Sequence, residues 1–222
     1  MRKLFIFAFI TTLNITSGFS QARVLSPEIA GKTKGQKADK AEGSMYTQKA
    51  FAAAKVSSIE GKSFMRYNTF SDEFEFITPK NDTLILDKIE DFKEVMFIGS
   101  NKKFVLTPYT NNKNRLTYGY LIQLYEKGNY GLFKKENISF IEAKTAKTTL
   151  EMSMPAKYNK SEDTYFLKNK DAGISEFPDS KKDLIKLFPD KKQSIETFVK
   201  EQKISFDKEA DMIKIVDFLA AQ

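Results

Sequence analysis

From about residue 46 to residue 178, short apolar segments alternate with turn signals, and this alternation constrains the fold more than any other feature of the sequence. Segments such as "SFMRYN" and "LTYGYLIQLY" are rich in aromatic and β-branched residues, which fit a half-buried strand. Polar stretches such as "PKND" and "EKGN" supply the turns between them. Short strands at this spacing predict an antiparallel β-meander over residues 44–178 that is curled or partly closed.

Residues 179–222 change to a helical period. Ser180 stands three residues before Asp183 and is expected to cap a short helix that stops before Pro189. Apolar residues then recur at helical spacing twice more before the end of the sequence. The predicted fold class is therefore α+β and β-rich, with two or three small C-terminal helices packed on each other or on the sheet.

The first 20 residues have the pattern of an export signal. Two cationic residues precede the apolar run 4–10, and small residues mark a cleavage site after Ser20. The run is too short to span a bilayer, which takes about 20 residues. Residues 21–43 are poor in large apolar side chains and are expected to form a flexible tether. Residues 44–222 are then a single globular domain, exported to the periplasm or secreted.

Histidine and cysteine are both absent from the sequence. Their absence excludes nucleophilic catalysis by Cys–His or Ser–His–Asp arrangements and metal sites built on thiolate or imidazole. The sequence also lacks a glycine-rich phosphate-binding loop and a dinucleotide-binding fingerprint. We therefore assign no catalytic residue, no metal site and no cofactor.

The formal net charge of +7 arises from lysines that are interspersed with carboxylates. A nucleic-acid-binding face would cluster its cations and place aromatic residues among them. We therefore expect no nucleic-acid partner, and no transmembrane segment once the signal is removed. The expected partner is an unknown component of the cell envelope, and the oligomeric state is left open.

The stretch "FMRYNTFSDEFEF" (64–76) fits a hairpin about a tight loop at residues 70 and 71. The apolar pattern selects the register in which the numbers of opposed residues sum to 141. Arg66 then opposes Glu75 on the wetter face, while Tyr67 faces the core. Asn68 is expected to shape the approach to the turn.

The carboxylates Asp72, Glu73 and Glu75 offer a second interpretation of the same stretch. Glycoside hydrolysis requires two carboxyl groups across a sugar-binding cleft, and Tyr67 is available to stack on a sugar. Charged residues are seldom buried unless they are paired, so a solvated strand face is the favoured interpretation.

Two tyrosines flank Gly119 in the most apolar predicted strand. A glycine within a strand allows close approach of a ligand or of another backbone, but a bend in a curled sheet is favoured here. The candidate binding residues are Arg66, Tyr67, Asn68, Asp72, Glu73, Glu75, Tyr118 and Tyr120.

Four segments together resemble a family of exported proteins from Bacteroidota, of the flavobacterial type. They are "GSMYTQKAFAAAKV" (43–56), "GKSFMRYNTFSDEFEF" (61–76), "YGLFKKENISFIEA" (130–143) and the helical stretch 183–219. The resemblance implies export and one continuous domain, and it supplies no catalytic residue.

Three functions remain open from the sequence. The favoured one is a non-enzymatic exported protein that binds or supports something in the cell envelope, which predicts a filled core and binding on an exposed face. The alternative is a carboxylate-dependent glycan-active enzyme, which requires two carboxylates converging in a cleft. The third is a small-ligand carrier that uses the inside of the curled sheet, which requires an apolar cavity.

Overall fold

The computed structural model describes residues 32–33, 41–146, 152–170 and 172–221. The predicted signal peptide lies outside the described residues, and so does most of the predicted tether. Within the described residues, eleven strands precede three α-helices, which confirms the predicted β-rich α+β class. The strands are β1 (Lys32–Thr33), β2 (Ala52–Val56), β3 (Ser63–Asn68), β4 (Glu73–Ile77), β5 (Thr83–Ile85), β6 (Glu94–Phe97), β7 (Lys103–Thr110), β8 (Leu116–Lys127), β9 (Tyr130–Ile141), β10 (Lys157–Asn169) and β11 (Gly173–Glu176).

Strand β7 is shared by two parts of the sheet. One part runs in the order β1-β5-β4-β3-β2-β6-β7. In the other part, β7 pairs with β8, the antiparallel pairing continues through β9 and β10 to β11, and β11 returns to β7 through the parallel pair Ser175 and Thr110. Strands β7 to β11 therefore form a closed ring, which confirms the predicted curled and partly closed meander.

The β3–β4 hairpin has the predicted register. Arg66 opposes Glu75, Tyr67 opposes Phe74 and the remaining pairs also sum to 141. The turn between the strands is stabilised by the backbone N–H of Ser71, which donates to Asn68 Oδ1 at 3.1 Å. The apolar alternation alone was sufficient to fix this register, because a slip by one residue would move apolar side chains to the opposite face.

The sequence pattern predicts two separate strands, at residues 130–136 and 138–143, followed by an irregular stretch over 145–162, and the structure differs from both predictions. The segments "YGLFKKE" and "ISFIEA" form one continuous strand, β9, and β10 begins at Lys157 within a stretch predicted to be irregular. The polar residues there mark a bulge and not a loop, since the β9–β10 register shifts between Ser161 and Thr164. Asn137 accommodates the bulge by donating from Nδ2 to Thr164 Oγ1 and to the backbone carbonyl of Glu162, both at 2.8 Å.

Buried side chains form three clusters, one inside the ring and two on its outer face. The first lies between β2–β6 and the outer face of β7 and β8 and includes Phe74, Phe104 and Tyr120. The second fills the ring with Tyr109, Leu121, Phe133 and Phe166, each from a different strand. The third lies between the outer face of β9 and β10 and the C-terminal helices and includes Leu132, Leu167, Ile195 and Ile215.

The C-terminal helices are α1 (Lys181–Leu187), α2 (Lys192–Glu201) and α3 (Glu209–Ala221). The Ser180 side chain accepts from the backbone N–H of Asp183 and caps α1, as predicted. Pro189 begins a short 3₁₀ turn that leads into α2. The helices pack on each other as well as on the sheet, because the ring of Phe198 in α2 stacks on that of Phe218 in α3 with centroids 4.3 Å apart.

Replacing Phe198 with Ala is expected to lower the free energy of unfolding by about 2 kcal/mol, less than for a fully buried ring because Phe198 is half-buried. Urea denaturation followed by circular dichroism measures the change. Lys200→Ala, at an exposed position of the same helix, is the matched control. An equal effect of the two substitutions would show that the Phe198–Phe218 stack does not stabilise the helices.

Candidate functional site

A cleft of about 370 Å³ opens beside the β3–β4 hairpin. One wall is the irregular segment 44–51 that precedes β2, and the other elements are β3, the β6–β7 turn and β9. The aromatic side chains of Phe97 and Phe104 line it and are almost fully buried. Its polar lining residues are Thr47, Gln48, Arg66, Tyr67, Thr69, Lys102 and Glu136.

The segment 44–51 is fixed to the hairpin by hydrogen bonds. The hydroxyl groups of Thr47 and Thr69 lie 3.1 Å apart, and the N–H of Phe70 donates to the carbonyl of Met45 at 3.2 Å. Asn68 Nδ2 also donates to Met45 Sδ at 3.2 Å. This wall of the cleft is therefore preorganised by contacts with β3 and its turn.

Arg66 forms the predicted pair with Glu75, but the pair does not lie on a solvent-exposed face of the sheet. Its Nε and Nη2 atoms lie 2.8 and 2.7 Å from Glu75 Oε2, and the Glu75 residue is only 1% exposed. The guanidinium group lies between two aromatic rings, 4.1 Å from the centroid of Tyr46 and 4.4 Å from that of Phe51. The prediction of a solvated strand face is thus wrong at Glu75, because the residues that precede β2 cover it.

Tyr46 completes the surroundings of the buried Glu75 carboxylate. Its hydroxyl group donates to Glu75 Oε1 at 2.8 Å. Burial, reinforced by this hydrogen bond to an anion, raises the pKa of the Tyr46 hydroxyl group. Tyr46 therefore acts as a neutral donor to Glu75.

A second ion pair lies within the cleft itself and was not found from the sequence. Lys102 Nζ lies 2.6 Å from Glu136 Oε1, and the Glu136 residue is 8% exposed. The ammonium group also lies 5.3 Å from the ring centroid of Phe104. The two partners are 34 residues apart in the sequence, so no local pattern could have joined them.

Asp72 accepts hydrogen bonds from four groups on different elements. The Tyr67 hydroxyl donates at 2.5 Å, and the ammonium groups of Lys88 and Lys135 donate at 2.6 and 3.0 Å. The backbone N–H of Tyr120 lies 3.3 Å from both carboxylate oxygens. Asp72 therefore connects the hairpin turn to the β5–β6 loop, to β8 and to β9.

Gly119 makes room for this carboxylate. A Cβ atom at Gly119 would lie 2.4 Å from Asp72 Oδ2, which is shorter than any real contact. The sequence suggested either a bend or the close approach of a ligand, and the group that approaches is a side chain of the same chain. The flanking tyrosines do not form a joint site, since Tyr118 is 47% exposed and Tyr120 is 1% exposed.

The candidate carboxylates are not brought together as a catalytic pair. Asp72 and Glu75 have separate cationic partners, and half-buried Glu73 opposes Asn68 in the hairpin. Of the described residues that line the cleft, Glu136 is the only carboxylate. In the described part of the chain, no group of three or more potential ligand residues is placed to hold a metal ion. None of the helices among those same residues is long and apolar enough to cross a membrane.

The two tyrosines near Asp72 predict an alkaline unfolding transition. Burial, together with the neighbouring Asp72 carboxylate, raises the pKa of Tyr67 and of Tyr120. Because the folded state holds these protons more tightly, their stabilising contribution is present below the unfolded tyrosine pKa of about 10 and is lost as the pH rises from there towards the folded values. The free energy of unfolding is therefore expected to fall above about pH 10.

This transition can be followed by tyrosinate absorbance, which no tryptophan obscures. Tyr67 and Tyr120 should ionise in one step that coincides with the loss of the circular dichroism signal. Tyr67→Phe should reduce the amplitude of that step. A tyrosinate absorbance that rises with no step at the loss of the circular dichroism signal would contradict the prediction.

No family model, no curated protein and no solved structure matches this chain.

Proposed function

We propose that the protein is an exported, non-enzymatic binding protein of the cell envelope, and that the cleft beside the β3–β4 hairpin is its binding site. The observation that carries the proposal is the lining of the cleft, where the Lys102–Glu136 pair and threonine hydroxyls lie beside buried aromatic rings. Small-molecule sites combine such apolar surfaces with a few convergent polar groups. Export, whether to the periplasm or to the medium, rests on the pattern of the first 20 residues and on the resemblance to exported proteins of Bacteroidota.

The arrangement of the carboxylates favours binding over glycan hydrolysis. Glycoside hydrolysis requires a general acid in apolar surroundings and a second carboxylate across the sugar. In this cleft the lining carboxylate Glu136 is bound to an ammonium group, and Glu75 is bound to a guanidinium group beside it. Glu75 is buried and is not among the residues that line the cleft.

The charge of the lining residues limits which ligands the cleft can bind. Both cations that line the cleft, Arg66 and Lys102, already pair with a carboxylate, so the site as a whole is close to neutral. The lining nevertheless offers hydrogen-bond donors and acceptors side by side. We therefore propose a small neutral or zwitterionic ligand. Tyr109, Leu121, Phe133 and Phe166 occupy the inside of the ring, and this favours the cleft over the inside of the curled sheet as the site.

A substitution that fills the cleft tests the proposal. Ala50 lines the cleft and is exposed, so Ala50→Phe should occupy it without removing an ion pair. A thermal-shift screen of neutral sugars and free amino acids should find a compound that raises the melting temperature of the unchanged protein but not of Ala50→Phe. Ala172→Phe, at an exposed turn outside the cleft, is the control and should respond like the unchanged protein.

Two outcomes would contradict the proposed function. If every compound that binds stabilises Ala50→Phe as strongly as the unchanged protein, the cleft is not the site. If incubation with an oligosaccharide releases a shorter sugar, the glycan-active enzyme becomes the better interpretation. Release should then depend on Glu136, which Glu136→Gln would test.

A further inference from the structure

Strands β9 and β10 continue beyond the ring as a two-stranded arm, formed by residues 138–146 and 152–160. The strands pair from Ile138 and Lys160 to Ile141 and Lys157, and a further bridge joins Lys144 to Met154. Near its base the arm packs on the hairpin turn, where the rings of Phe70 and Tyr158 lie 5.4 Å apart. Beyond this contact almost all described residues of the arm are exposed.

Large apolar side chains are concentrated on the exposed part of the arm. Ile141 is 47% exposed, Met154 is 57% exposed and Met152 is 87% exposed. Elsewhere the large apolar side chains mostly fill the three buried clusters. Single exposed apolar residues are ordinary, but several on one projecting element mark an interaction surface.

The arm is also basic. The described residues of the arm contain three lysines, Lys144, Lys157 and Lys160, and one glutamate, Glu142. Lys144, Lys157 and Lys160 are exposed, and within the described residues none of them forms an ion pair. Three unpaired lysines therefore lie on the same element as the exposed apolar side chains.

We propose that the arm binds an anionic lipid surface. Lysines that flank exposed apolar side chains combine electrostatic attraction to lipid headgroups with insertion of those side chains at the interface. Apart from the bridge between Glu42 and Lys157, the outer edges of the two arm strands have no neighbouring strand among the described residues. Unpaired backbone groups cannot enter the hydrocarbon, so only the tips of the methionine and isoleucine side chains go below the headgroups. The protein then lies on the membrane and does not span it.

A second copy of the chain is a poorer occupant of this surface. A twofold interface places the same patch against itself, so the arm lysines of one copy would face those of the other. Repulsion between unpaired like charges opposes such an interface, whereas an anionic bilayer neutralises all of them at once. Charge complementarity thus favours the lipid surface.

Vesicle co-sedimentation tests this proposal directly. The purified protein should sediment with vesicles that contain phosphatidylglycerol and phosphatidylcholine, and at least about tenfold less with vesicles of phosphatidylcholine alone. Raising the salt from 0.1 to about 1 M should weaken binding to the anionic vesicles, because the screening length falls to about 3 Å. The combined variant Lys144→Gln, Lys157→Gln and Lys160→Gln should bind about a hundredfold more weakly.

Matched variants separate the arm from the rest of the surface. Met152→Ser with Met154→Ser should also weaken binding, whereas Leu116→Ser, which removes a 77% exposed leucine outside the arm, should not. All variants keep the same N-terminus, so any contribution of residues 1–20 cancels in the comparison. Because all these substitutions are at exposed positions, they should leave the circular dichroism spectrum unchanged.

Three results would overturn the proposal: equal binding to neutral and anionic vesicles, unchanged binding by the lysine variant, or no sedimentation with either vesicle. If the purified protein ignores vesicles but the arm retains a protein from the envelope, the surface serves a protein partner instead. A failure to bind lipid would not contradict the proposed function of the cleft, because Ala50 and the other residues that line the cleft lie outside the arm.

Discussion

Asp72→Ala is expected to lower the free energy of unfolding by about 3–5 kcal/mol, the usual cost of removing one partner from a largely buried ionic cluster. The substitution leaves the Tyr67 hydroxyl and the ammonium groups of Lys88 and Lys135 without their shared acceptor. It also removes a direct link between the hairpin turn and strands β8 and β9. Chemical denaturation followed by circular dichroism gives the change in free energy.

Two further variants separate the charge of Asp72 from its conformation. Asp72 has a φ of +59°, a left-handed conformation that asparagine also tolerates. Asp72→Asn therefore removes the charge without adding backbone strain, and it should lose most of the same stability. Glu60→Gln, at an exposed carboxylate, should change stability by less than about 0.5 kcal/mol. A loss below about 1 kcal/mol for both Asp72 variants would show that the cluster does not hold the fold together.

Gly119→Ala is expected to cost about 3 kcal/mol, which is the upper range for inserting one methyl group into a well-packed site. The new Cβ would lie 2.4 Å from Asp72 Oδ2 and 3.3 Å from its Cγ. The carboxylate cannot move aside at low cost, because Tyr67, Lys88 and Lys135 all hold it in place. Thermal and urea denaturation of the single variant give the magnitude.

A double-mutant cycle identifies the cause of that loss. In the Asp72→Ala background the Gly119→Ala substitution meets no carboxylate, so its cost should fall and the coupling energy should reach about 1–3 kcal/mol. Gly99→Ala is the matched control, since a Cβ there would meet nothing within 4 Å and the residue does not have a left-handed φ. Additive losses for Gly119→Ala and Asp72→Ala would exclude the steric explanation.

The sequence predicted those features whose causes are local. The hairpin register follows from alternating apolar residues within 13 positions, from 64 to 76, and the cap at Ser180 follows from a spacing of three. The helical period of residues 179–222 likewise predicted the C-terminal helices. In each case the residues that determine the structure are close together in the sequence.

The surroundings of the charged residues could not be predicted in this way. Glu75 is buried because Tyr46 and Phe51, from another part of the chain, cover the pair it makes with Arg66. Lys135 reaches Asp72 across 63 residues of sequence. Burial by a distant segment and ion pairing between distant strands leave no periodic pattern in the sequence. For this reason the sequence identified only two of the residues that line the cleft, Arg66 and Tyr67.

The shared position of β7 has a consequence for the order in which the protein folds. Strand β7 pairs with β6 and β8, its neighbours in the sequence, but the ring closes only when Ser175 reaches Thr110, 65 residues earlier. Loop closure over such a distance is slow, so we expect the ring to seal last. Until then β7 and β11 present unpaired edges, which can pair with other chains. A slow final phase that is prone to aggregation at high protein concentration is therefore built into the connectivity of the sheet.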